Sequence, residues 1–159
     1  MTVYNRTATG GGTVGHPSNA SVPYVITSPV WDTVDGGGVG GDIIQLIDLP
    51  ADTMIISGCL EVLEARGNGQ ITMDIGFTGG DVDALLDGSV CAAGFSPFLE
   101  AAVGASGANA RIVTSADTID ALILDGGSSG ETALRFRIHV VLVDISRNPA
   151  ESATVSTGT

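Results

Sequence analysis

The stretch from Asp42 to Phe77, DIIQLIDLPADTMIISGCLEVLEARGNGQITMDIGF, decides the fold. Apolar residues recur at every second position through Ile71, Met73, Ile75 and Phe77, and again through Ile56, Gly58, Leu60 and Val62. That is the period at which side chains share one face of a strand, so the segment predicts a sheet with one side buried. Between the runs stand Pro50-Ala51-Asp52 and Arg66-Gly67-Asn68-Gly69. The second contains an Asn-Gly pair, which tolerates the positive φ angles of a tight hairpin turn and returns the chain antiparallel. The segment is a β-meander with little catalytic vocabulary, a scaffold before it is a site.

Outward from this meander the same reading places strands near residues 24–34, 42–49, 54–65, 70–77, 111–113, 118–125 and 132–145. Short strands at regular spacing with turn signals between them predict an all-β fold, an antiparallel β-sandwich of jelly-roll-like type. One short helix is expected from Asp81, where Gly79-Gly80 breaks the preceding strand, Asp81 caps Val82 to Leu86, and Gly88 ends the turn. A second helical turn is expected around Phe98 to Val103. The sandwich spans residues 25–146, between an extended N-terminal arm (1–24) and a flexible C-terminal tail (147–159). The arm is rich in Gly, Thr, Ser and Pro and buries too little apolar surface to offset its own ordering entropy. Its Tyr4, Val14, Val22 and Tyr24 are candidate anchors on a neighbouring surface.

The last strand is two-faced. Leu134, Phe136, Ile138, Val140 and Leu142 fall on one side, and Arg135, Arg137 and His139 on the other. Two readings fit the polar side: pairing with outward carboxylates such as Glu61, Glu64 or Asp74, or a contact surface for an acidic partner.

Composition narrows the function classes. The chain has 159 residues, 23 glycines, 43% hydrophobic and 4% aromatic residues, six arginines and no lysine. A net charge of −12 opposes binding to a phosphate backbone or an anionic membrane leaflet, so neither nucleic acid nor membrane is an expected partner. Cys59 and Cys91 have no ligand-like spacing and read as small buried hydrophobes, with a disulfide as the alternative. The N-terminal residues show no basic and apolar signal pattern, and no run is long enough to span a bilayer, so a soluble protein without a cleaved leader is expected.

Chemical motifs are weak throughout. G-x-G-x-x-G occurs at Gly10, Gly12 and Gly15 and at Gly36, Gly38 and Gly41, but neither copy follows a strand and opens a helix, as pyrophosphate binding requires. Asp81, Asp83 and Asp87 suggest hard-cation chemistry, yet Leu85 and Leu86 interrupt the ligand spacing and no glutamate closes a loop. His16 and His139 are the only histidines, and no G-x-S-x-G accompanies them. No enzyme activity, metal or cofactor is expected.

The succession Asp42 to Thr53, Ile71 to Gly88 and Ser115 to Asp120 (SADTID) resembles small virion structural proteins of tailed bacteriophages, of the kind that decorate or cement the capsid. The resemblance covers about residues 40–145. It implies a β-sandwich that binds the major capsid protein, commonly as a homotrimer at local threefold positions, with arms reaching neighbouring subunits. It brings no catalytic residues. Acidity favours the outer surface of the shell, because packaged DNA repels a −12 chain inside. A tail or head-fibre component is the alternative within the structural class. A secreted carbohydrate- or calcium-binding β-module is the alternative outside it, disfavoured by the absent leader pattern and few aromatics.

The charge argument has a direct check. The isolated protein is expected to leave duplex and single-stranded DNA unretarded in a low-salt mobility-shift assay, and retardation at micromolar protein would remove the basis for an outside location.

Overall fold

The computed structural model describes residues 3–5, 23–32, 40–65, 71–77, 80–98, 111–125 and 134–145. They form strands β1 (Val3–Asn5), β2 (Tyr24–Thr27), β3 (Trp31–Asp32), β4 (Ile43–Leu49), β5 (Thr53–Glu64), β6 (Thr72–Phe77), β7 (Leu86–Val90), β8 (Gly94–Pro97), β9 (Arg111–Val113), β10 (Asp117–Asp125) and β11 (Arg135–Asp144). Eight of these pair as nested antiparallel partners: β2 with β11, β4 with β10, β5 with β8, and β6 with β7. A chain paired in this way is one long hairpin ribbon whose tip lies between β6 and β7. Rolling the ribbon sets β11 beside β5 and β10 beside β6, giving two sheets in the orders β2-β11-β5-β8 and β4-β10-β6-β7. This is the jelly-roll winding expected from the strand spacing. The remaining strands extend it: β1 adds in parallel outside β4, β3 lies along β11, and β9 lies along β5.

The core lies between the sheets. Ile55, Leu60, Val62, Phe136, Ile138, Val140 and Leu142 enter from one side, and Met73, Ile75, Ile119, Ala121 and Ile123 from the other, all nearly inaccessible to solvent. Each large aliphatic side chain so placed stabilises the fold by roughly 1.5–3 kcal/mol relative to exposure. Trp31 closes one end against Phe136, with ring centroids 5.7 Å apart.

Several expectations shift at irregular points of the ladders. The predicted strand at 24–34 divides into β2 and β3 around Pro29, which has no N–H to give to a ladder. Along β5 the expected alternation through Ile56 and Gly58 changes phase: Val141 stands opposite Ser57 and Leu142 opposite Ile55, so Ile56 is the extra residue of a bulge. Ile55 is therefore buried and Ile56 only half-buried. The β4–β5 turn forms at Pro50-Ala51-Asp52 as expected, with Asp52 at φ 59 and the Thr53 hydroxyl donating to Pro50 O at 2.8 Å.

The helix expected from Asp81 does not form. Leu85 N donates to Ile75 O at 2.8 Å and Phe77 N to Asp81 O at 3.0 Å, so residues 81–85 are tied to β6, and within the segment Ala84 N reaches Asp81 O at 3.3 Å in a single turn. Ala84, Leu85 and Leu86 are all buried in succession, which one stripe of a short helix does not allow. This turn lies directly on Gly76, where an added Cβ would stand 2.3 Å from Asp81 O. It covers the side of β6 expected to face water, so Asp74 and Gly76 are buried beneath it, while Met73 and Ile75 are buried on the core side. The Asp74 carboxylate accepts the N–H of Gly88 at 2.7 Å, where Gly88 (φ 56) bulges out of β7 between the pairs Ile75–Leu86 and Met73–Ser89. Asp74 thus holds a turn of its own sheet and does not meet the arginines of β11.

Nor is Phe98 helical. Its N–H donates to Gly58 O at 2.9 Å, and its ring lies over Gly58, where a Cβ would approach to 2.3 Å. The rest of the expected turn, 99–103, lies outside the described residues, as do Arg66 to Gly69, residues 6–22 of the arm and the tail 147–159.

These two glycines carry a prediction. Gly58→Ala and Gly76→Ala should each destabilise by about 1–3 kcal/mol, since a methyl group forced into packed space displaces its neighbours. Gly76→Ala should lose more, because the atoms above it are backbone. Thermal melts check this, and a Gly76→Ala protein melting within a degree of the wild type would contradict the packing.

Candidate functional site

The outer face of the β2-β11-β5-β8 sheet collects the side chains that β11 turns away from the core. Register sets them in transverse rows. Arg137 of β11 stands opposite Glu61 of β5, which stands opposite Phe95 of β8. In the next row Thr27, His139, Cys59 and Pro97 succeed one another across the four strands, and beyond it lie Val25, Val141 and Ser57.

Glu61 is the hub. Its Oε2 receives Arg137 Nε at 2.5 Å and lies 2.8 Å from His139 Nε2. The other ring nitrogen of the histidine, Nδ1, is 2.9 Å from the Thr27 hydroxyl. When His139 carries a proton on Nε2 alone it donates to Glu61 and accepts from Thr27, so both ends of the ring are satisfied in the neutral state. The bond from Arg137, and after it that from His139, holds the Glu61 carboxyl below the ordinary glutamate value. Arg135 lies at the end of the same face, 3.5 Å from Asp32 of β3.

Apolar side chains surround this network. Phe95 is 68% exposed, Val25 59% and Leu63 39%. The Phe95 ring lies 6.4 Å from the His139 ring. On a chain of net charge −12 this face pairs its own charges and leaves aromatic and aliphatic groups in water. Such a patch loses little on desolvation when another protein covers it, and it offers an aromatic anchor.

The residues singled out from sequence divide. Arg135, Arg137 and His139 share the expected face, with Glu61 as the carboxylate that joins two of them. Tyr24 is half-buried against the core, its hydroxyl pushed up by burial and, less, by Asp144. Tyr4 falls in β1, beside Ile44 of β4, and Val14 and Val22 lie outside the described residues. Sequence reasoning missed Phe95, Leu63 and Thr27. Phe95 sits in Gly94-Phe95-Ser96-Pro97, a strand without alternation, and only its pairing with β5 places it.

Other reactive groups are quiet. Cys91 is buried and its thiol is pushed up to about 12 by that burial. The half-buried Cys59 thiol is raised by burial and by Glu61, and both cysteines are free. Neither has the lowered pKa of a nucleophilic cysteine. Asp83 is raised by a hydrogen bond and charge repulsion from Asp81. Among the described residues no three His, Cys, Asp or Glu side chains converge as a metal site.

The winding of the two sheets has counterparts of known structure. It is shared with chains of phage capsids. The chain is similar to one from the capsid of Ralstonia phage GP4, with a TM-score of 0.64 and 18% identity over 92% of this chain and 100% of that one. It is similar to a chain of the cyanophage Pam1 capsid asymmetric unit, with a TM-score of 0.59 and 14% identity over 84% of this chain and 94% of that one. A chain of the acidic stable capsid of Helicobacter pylori bacteriophage KHP30 gives a TM-score of 0.51 at 14% identity, over 79% and 90%. At these identities the likeness is one of fold. No protein-family model and no curated protein matches the sequence.

The hub is testable by titration. Because the folded-state pKa of Glu61 is lowered, its bonds are present above the ordinary glutamate value and lost as pH falls through the lower, folded midpoint. Arg137→Gln is expected to raise that midpoint, read from the side-chain carboxyl carbon by NMR. An unchanged midpoint would show that the pair does not form in solution.

Proposed function

We propose that this chain is a structural protein of a phage head, a decoration or cement protein that sits on the outer surface of the shell, binds the major capsid protein and stabilises the assembled particle. The observation that carries the reading is the jelly-roll likeness to chains of three phage capsids, which spans most of this chain and nearly all of each of theirs. Charge supports the outer location, since a −12 protein on the inside competes with packaged DNA for counter-cations. The role is non-catalytic, in keeping with two unactivated thiols and a histidine engaged at both ring nitrogens.

In this reading the outer face of the β2-β11-β5-β8 sheet is the docking surface, with Phe95 as its anchor and the Arg137–Glu61–His139 network as its polar centre. Assembly as a homotrimer follows the preference of soluble oligomers for closed symmetry and suits a threefold seat on an icosahedral shell.

Cosedimentation with phage heads stripped of this protein tests the proposal. The wild type is expected to bind saturably, and Phe95→Ser and Arg137→Glu should each weaken binding by about tenfold or more, the loss typical of an interface anchor. Deletion of residues 1–20 should leave the sandwich folded by circular dichroism and weaken attachment. A wild-type protein that fails to bind such heads would overturn the reading.

A further inference from the structure

A second contact point lies away from that face, at an open edge of the sandwich. β9 pairs with β5 so that Arg111 stands opposite Ile55 and Val113 opposite Thr53, both buried, whereas Ile112 stands opposite Met54 and is 53% exposed. Arg111 is therefore on the inner side of its sheet, where its neighbours Ile55 and Thr53 on β5 are uncharged and buried. Its guanidinium carbon lies 4.5 Å from the ring centroid of Phe77, which belongs to the other sheet. The arginine bridges the two layers, with its charge over an aromatic face.

A cavity of about 130 Å³ opens here, lined by Phe77, Gly80, Arg111, Thr114, Ser115 and Asp117. Among the described residues no carboxylate forms an ion pair with Arg111. Asp117 turns one carboxylate oxygen to the N–H of Thr118, at 2.8 Å, as a local cap. In a chain with 18 acidic residues and six arginines, this half-buried arginine has no carboxylate partner among the described residues.

Contact with the ring restrains the guanidinium, whose edge N–H groups have the fork geometry that matches a planar carboxylate. Two hydroxyl side chains in the lining supply further donors. The volume is well below the roughly 300–1,000 Å³ of sites for drug-sized ligands, and suits one short side chain. We propose that this cleft is a socket for a single aspartate or glutamate side chain presented by a shell subunit, with Arg111 as its fork and Phe77 as the platform that orients the fork. The choice of a shell subunit rests on the function proposed above; the carboxylate chemistry rests on the cleft alone.

Two measurements separate these parts. First, the arginine Nε–Hε resonances of the intact wild-type protein are followed by NMR while N-acetyl-glutamate methylamide is added, with the uncharged glutamine analogue as control. A saturable shift of the Arg111 resonance with the glutamate probe, absent with the glutamine analogue, is expected. No shift, or equal shifts with both, overturns the socket. Second, Arg111→Gln and Arg111→Lys are compared with the wild type in cosedimentation with stripped heads, after melts confirm folding. Both should bind about tenfold more weakly, the lysine variant because it keeps the charge and lacks the fork. If either binds as tightly as the wild type, the shell is not the source of the carboxylate. If the wild type itself does not bind, the proposed function fails, and the NMR result still decides the socket.

Discussion

The antiparallel pairing of β5 with β11 is the constraint on which the rest of this structure depends. These are the two longest strands, 12 and 10 residues, and their partners along the ladder lie some 70 to 90 positions apart in sequence. Joining them closes a very long loop, which costs entropy before any contact is made. The burial of Ile55, Leu60 and Val62 with Phe136, Ile138, Val140 and Leu142 offsets that cost. Once the pair exists, β2 and β8 have edges to join, and β4, β6, β7 and β10 follow as the second layer of the same rolled ribbon.

One ladder also produces both chemical faces of the sheet. Because side chains alternate, the register that sends Phe136 and Ile138 inward sends Arg137 and His139 outward, in reach of Glu61. A register slip of one residue would bury the charges and expose the core. Packing and the candidate docking face are thus not independent designs. The face gains a charge-balanced centre from the geometry that stabilises the interior, and Phe95 joins it through its pairing with Glu61.

Glycine and one buried acid manage the places where the ribbon bends. Gly76 lets the backbone of residues 81–85 lie on β6, Gly58 admits the Phe98 ring, and Asp74 satisfies the N–H of a bulge at Gly88. Each is a close approach of main chain or ring to main chain, where a side chain on the wrong residue has no room. The open edge at β9 is handled differently: an arginine on an aromatic ring, and not an aliphatic residue, separates the core from solvent.

Sequence by itself determined the class of the fold and most of its strands. Period-two alternation in β6, β10 and β11 is a local property, set by which neighbouring side chains must share a face. It also placed Arg135, Arg137 and His139 together, because three residues at i, i+2 and i+4 of one strand have no other choice. Tertiary structure decided the rest. Strands β7 and β8 carry no alternation, and they exist only because β6 and β5 offer them edges. The segment after Asp81 has helix-like punctuation, yet hydrogen bonds to β6 and the burial of Ala84, Leu85 and Leu86 outweigh a helix of barely one turn, which is marginal alone. Phe95 beside Glu61, and Arg111 over Phe77, are contacts between residues 34 positions apart in both cases. No local pattern encodes them, since they arise only when the ribbon rolls and the two sheets close on each other.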